Sequence, residues 1–150
     1  MSGGAGLAVA LTLTAGLAGS VQAAVMGELG ERVGIVPALA FSTLVAVAGG
    51  LVVLSVVERN AGGLRDTFRE PAWLWTGGLL SLLIVLAITV ATPRIGVTAT
   101  VGLVIAGNLA MAAVIDHFGL FGQGEVPIGW ARLLGLALLA AGSALSLSSS

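Results

Sequence analysis

Five apolar stretches, residues 3–27, 33–57, 71–93, 95–115 and 133–147, divide the 150-residue chain, and all six arginines and seven acidic residues fall at the junctions between them. A helix rises about 1.5 Å per residue and the hydrocarbon core is about 30 Å thick, so each stretch can cross a bilayer, the last with its flanks. Segments this long, continuous rather than alternating, predict α-helices and not barrel strands. The expected fold is all-α: one transmembrane domain, a polytopic bundle of five helices over residues 3–27, 33–57, 73–92, 96–115 and 129–147.

Turn chemistry divides the helices. Glu28 to Arg32 is expected to separate the first pair, and Glu58-Arg59-Asn60-Ala61-Gly62-Gly63 to end the second helix with glycines beyond its C-terminus. Pro71 opens the third helix where its missing N–H is harmless, with Trp73 and Trp75 at the expected headgroup boundary. Pro93-Arg94-Ile95-Gly96 reads as a tight reversal, Asp116-His117-Phe118-Gly119 as the end of the fourth helix, and residues 122–127 as a short loop. Val21-Gln22-Ala23 has the look of a signal-cleavage site, but the first basic residue is Arg32 and the apolar run is long. The first stretch is therefore expected to be kept as a span.

Composition removes whole classes of function. With 57% hydrophobic and 9% charged residues, the chain cannot present a water-soluble surface. A net charge of -1 made of scattered residues steers toward neither nucleic acid nor anionic lipid. The lack of cysteine and the single histidine leave no thiolate site, no nucleophilic thiol and few metal ligands, so no metal, cofactor or enzyme activity is expected. Lysine is absent; Arg59, Arg65, Arg69 and Arg132 on one side against Arg32 and Arg94 on the other favour, by a small margin, a cytoplasmic N-terminus.

Small residues four apart predict helix contacts. Ala8, Thr12, Gly16, Ser20 and Ala24 line one face of the first helix, Ala38, Ser42, Ala46 and Gly50 one face of the second, and Thr98, Gly102, Ala106 and Ala110 one face of the fourth. Such ladders let backbones approach closely where lipid offers no hydrophobic drive, so these three helices are expected to pack tightly and the leucine-rich third to meet lipid.

Polar groups inside spans are costly unless paired or facing a watery cavity. Gln22 and Asn108 sit off the ladders, each preceded by a threonine eight residues earlier, Thr14 and Thr100, about 12 Å along a helix and some 80° around it. These four, with Trp73 and Trp75, are the candidates for a substrate pathway; interhelical hydrogen bonding is the alternative role of the two amides. No carboxylate or basic residue falls in the middle of a span, so the proton-coupling carboxylate of many carriers is missing. Asp116, His117 and Arg132, at helix ends, are the candidates for coupling or gating, with an interfacial ion pair as the alternative.

The run Val114-Ile115-Asp116-His117-Phe118-Gly119-Leu120-Phe121-Gly122, preceded by Gly107-Asn108 and followed by Arg132-Leu133-Leu134-Gly135, resembles the YdcZ-like five-helix branch of the drug/metabolite transporter superfamily. Gln22-Ala23, Pro37-Ala38 with Ser42, Pro71-x-Trp73-x-Trp75-x-Gly77-Gly78 and Pro93-x-x-Gly96 extend the resemblance along nearly the whole chain. Met26 and Asn108 depart from it, where the family pattern usually has an asparagine and a glutamine. The resemblance implies a small-molecule exporter of the prokaryotic inner membrane.

An odd number of spans places the two ends of the chain on opposite sides, so a second, inverted copy would complete the repeat arrangement of many carriers. The expected partners are lipid, a small-molecule substrate, and a second chain in a homodimer or a heterodimer with a related protein working by alternating access. The competing reading is a non-transporting assembly or regulatory subunit of a membrane complex.

Overall fold

The structure, a computed structural model, describes residues 3–57, 62–122 and 129–148. Among the described residues five α-helices run in order: α1 Gly3–Val33, α2 Ile35–Val57, α3 Gly62–Thr67, α4 Thr76–Phe118 and α5 Trp130–Ser148. Short 3-10 turns cover Ala72–Trp75 and Leu120–Gly122, and there is no strand among the described residues. The chain is an all-α membrane protein.

The first helix ends later than its hydropathy suggests. The charges over residues 28–32 predict a break between helices, yet α1 continues to Val33. Glu28 accepts a 2.6 Å hydrogen bond from Arg32, an i,i+4 pair of the orientation that supports helix, so charge here extends the helix rather than breaking it. The terminator is Gly34, whose φ of 92° favours glycine, and it is the whole connection between α1 and α2. Backbone bonds run from Gly34 N–H to the Gly30 carbonyl and from Ala38 N–H to the Gly34 carbonyl. Pro37 follows in the first turn of α2, where a missing N–H is tolerated.

The other ends show smaller shifts. α2 is described to Val57 and residues 58–61 lie outside the described residues, while Gly62 and Gly63, read as a loop, begin the short α3. Trp73 and Trp75 sit in the 3-10 turn, with Pro71 as its N-cap and Leu74 N–H donating to the Pro71 carbonyl, so the α-helix begins at Thr76 rather than residue 73. α4 takes in both the third and fourth predicted stretches as a 43-residue run whose one non-helical residue is Gly96, at φ 79°, ψ 162°. Straight, it would measure about 65 Å, twice the hydrocarbon thickness. It closes at Phe118, before Gly119 at φ 58°, as the sequence indicates. Most of the loop expected over 122–127 falls outside the described residues.

Three elements among the described residues are long and apolar enough to cross a membrane: Gly6–Val33, Ile35–Val57 and Ala72–Phe118. Leu133–Ser146 is a shorter apolar helix. Leu11, Leu13 and Leu17 on α1, Val52, Val53 and Val56 on α2, and Leu79, Leu80 and Leu83 on α4 are all exposed. Apolar surface of that extent is favourable only against lipid.

The chain divides into two compact units, residues 25–90 and residues 1–24 with 91–150. In the first, Met26, Gly27, Gly30, Ala38, Ile88 and Thr89 are buried. In the second, Ala23, Thr92, Ala99, Thr100 and Ala113 are buried. The small-residue ladders are mostly not where this chain packs on itself: Ala8, Thr12, Gly16, Ala24, Ala46, Gly50, Thr98 and Ala110 are exposed, and only Ala38 among ladder residues is buried. A Cβ built on Gly16 or Gly50 would meet nothing within 4 Å, whereas one on Gly30 would meet the Thr89 methyl. Close approach is thus concentrated near the end of α1.

Candidate functional site

The unit made of residues 1–24 and 91–150 carries most of the candidate polar groups. Thr14 and Gln22 lie on α1, Thr100, Asn108, Asp116 and His117 on α4, and Arg132 on α5. The two threonines are accounted for locally: Thr14 Oγ1 donates to the Ala10 carbonyl at 2.9 Å and Thr100 Oγ1 to the Gly96 carbonyl at 2.8 Å. Thr14 is exposed and Thr100 buried, so the first presents its hydroxyl at a surface and the second braces the backbone at Gly96. Intrahelical bonds of this kind satisfy a hydroxyl in lipid without a second helix.

The amides differ. Gln22 and Asn108 are exposed, and neither side chain forms a hydrogen bond among the described residues. Among the described residues they do not bridge helices. An amide in a lipid-facing segment without a partner is expensive, so both positions call for a partner beyond the described residues.

At the far end of α4 the Asp-His-Phe-Gly element forms the helix end. Asp116 is half-buried and His117 exposed, its ring edge-on to Phe118 with centroids 4.9 Å apart. Gly119 and Phe121 follow with φ of 58° and 57°. The backbone of Arg132 belongs to the first turn of α5. Among the described residues no group of three or more His, Cys, Asp or Glu could hold a metal ion.

In the unit of residues 25–90, Trp73 and Trp75 are exposed in the 3-10 turn ahead of α4. Trp75 meets Phe68 edge-to-face at 6.1 Å, and Thr76 Oγ1 donates to the Trp73 carbonyl at 2.6 Å. Exposed indoles at the start of a long apolar helix suit the membrane–water boundary, where an apolar ring and a polar N–H are both accommodated.

The family described as "Putative inner membrane exporter, YdcZ" (DMT_YdcZ) matches residues 7–145. The chain belongs to this YdcZ family. It is accordingly a multi-pass protein of the prokaryotic inner membrane and a member of an exporter family, not of an enzyme family. No curated protein and no solved structure matches the chain. The match spans the amide positions and the Asp116-His117-Phe118-Gly119 element alike.

Two positions of this YdcZ-family chain escape a reading of its sequence. Gly30 sits in a stretch whose charges suggest a loop, and its value comes from Thr89, far away along the chain and buried to 1% exposure. Thr92 sits beside a proline at an expected turn, where burial is not anticipated, yet it is 7% exposed. The spacing Gly27-x-x-Gly30 is the one signal that could point to the first; nothing local points to the second.

Proposed function

We propose that this YdcZ-family chain is half of a small-molecule exporter and that two copies, inserted in opposite orientations, enclose the pathway. Each copy crosses five times, with the 43-residue α4 supplying two spans divided at Gly96 and α5 the last. An odd number of spans makes a second inverted copy equivalent to the inverted repeats that carriers use for alternating access. The thin arginine bias of a lysine-free chain leaves both orientations accessible. The exposed small-residue faces around Gly16 and Gly50 supply surface on which another helix can settle.

The observation that carries this reading is the pair of exposed amides, Gln22 and Asn108, without a side-chain hydrogen bond among the described residues, in a chain of an exporter family. In the dimer they and Thr14 face the substrate, Thr100 holds the backbone behind them, and Asp116, His117 and Arg132 lie at the pathway's end. Trp73 and Trp75 anchor the helix ends in the headgroup layer.

The test begins with a deletion strain screened against toxic compounds and metabolites to obtain a substrate, followed by flux measured in proteoliposomes. Flux abolished by Asn108→Leu and kept by Ala106→Ser supports the reading. Flux unchanged by Asn108→Leu, or none from any compound while the protein stabilises a partner carrier, contradicts it.

A further inference from the structure

We propose that Thr92 is the side-chain ligand of a monovalent-cation site, for sodium, at the interrupted stretch of α4 between Pro93 and Gly96. Helical threonines in this chain have a standard way of satisfying their hydroxyls: Thr12, Thr14, Thr43, Thr67, Thr89 and Thr100 each donate to the carbonyl four residues back. Thr92 does not. It is 7% exposed, and its Oγ1 is fully buried with no hydrogen-bond partner among the described residues. A buried hydroxyl left in that state is costly, and the local remedy used by six other threonines goes unused here.

The surrounding backbone adds oxygen acceptors. At Gly96, φ 79° and ψ 162° interrupt the helix, which leaves the preceding turn as a C-terminal end whose carbonyls carry partial negative charge. Beyond the interruption the demand is met internally, by the Thr100 hydroxyl on the Gly96 carbonyl. Before it, the buried, unpartnered Thr92 hydroxyl sits on the turn that this interruption ends. Backbone carbonyls at the C-terminal ends of broken helices coordinate sodium in membrane carriers, and a hydroxyl offers a neutral oxygen of the same kind.

Charge and size narrow the ligand. A neutral oxygen set balances the desolvation of one charge far better than of two, which disfavours a divalent ion. Arg94 lies two positions on, about 200° around a helix, and is exposed where Thr92 is buried. The site does not depend on the export reading. Joined to it, the site supplies a coupling ion to a chain with no carboxylate in the middle of a span.

The experiment is saturable binding of radiolabelled sodium to the purified full-length protein in detergent, with parallel thermal unfolding. Wild type and Thr92→Ser are expected to bind sodium and to be stabilised by it. Thr92→Val, which keeps the shape and removes the buried hydroxyl, is expected to fold normally and lose both effects. Equal binding by wild type and Thr92→Val overturns the proposal, as does no binding to wild type, the result if the hydroxyl holds only a water. Flux without sodium binding sinks this site and leaves the exporter reading standing; sodium binding without flux does the reverse.

Discussion

Gly30 on α1 lies so close to Thr89 on α4 that a Cβ at residue 30 would stand 2.7 Å from the Thr89 Cγ2. Thr89 is held in place by its own hydroxyl, which donates to the Val85 carbonyl at 2.7 Å, so the methyl cannot rotate aside without breaking that bond. The contact fixes the distance between two helices within the unit of residues 25–90.

Gly30→Ala is therefore expected to destabilise the protein by about 1–3 kcal/mol, the usual cost of overpacking, despite alanine's higher helix propensity. Thr89→Ser removes the obstructing methyl and keeps the hydroxyl, and it is expected to restore most of the loss in the double variant. Thr89→Val, which keeps a methyl, is expected not to. Thermal unfolding in detergent of the single and double variants checks the cycle; additive effects of Gly30→Ala and Thr89→Ser would show that the methyl is not the obstacle.

Gly96 is expected to be intolerant for a different reason. Nothing lies within 4 Å of a Cβ built there, but its φ of 79° with ψ of 162° is a combination essentially confined to glycine. Gly96→Ala and Gly96→Asn should each cost about 1–3 kcal/mol, asparagine giving no relief because this is not the left-handed helical region. Gly107→Ala, also in open space but within regular helix, serves as the control and should leave the unfolding temperature unchanged or higher.

The two described ion pairs should matter little. Arg32 with Glu28 at 2.6 Å and Arg69 with Asp66 at 3.3 Å are exposed, and pairs of this kind are worth about 0–1 kcal/mol and are screened by salt. Glu28→Gln and Asp66→Asn are expected to shift the unfolding temperature by no more than a degree or so in high salt. A large loss would mean that these charges do more than support their helix turns.

The ladder faces give a prediction about assembly. Gly16→Leu and Gly50→Leu fill open space in a single chain, so each should leave the monomer's helical content intact while weakening the dimer. Cross-linking yield in native membranes measures this, and unchanged yield in both variants would place the contact elsewhere.

The class of fold is legible in the sequence because lipid imposes one rule, long apolar segments with internally satisfied backbones, and that rule is written residue by residue. The helix end at Phe118 is legible for a local reason: Gly119, at positive φ, follows it. The end of α1 is not, since the charges at Glu28 and Arg32 look like a break and act as an i,i+4 brace. The amides Gln22 and Asn108 stand out by type alone. Gly30 and Thr92 do not, because their importance is set by what folding brings near them, and the helical spacing of small residues points to faces that this chain leaves uncovered.

The arrangement of two inverted copies is tested most directly by introduced cysteines, since the native chain has none. Gly63→Cys on α3 and Phe121→Cys after α4 lie on one side of a five-span chain, and both positions are exposed. A membrane-impermeant thiol reagent applied to intact cells is predicted to label about half of each variant, the remainder reacting only after permeabilisation, as opposite insertion of equal copies requires. Labelling of either variant wholly from one side would contradict the account.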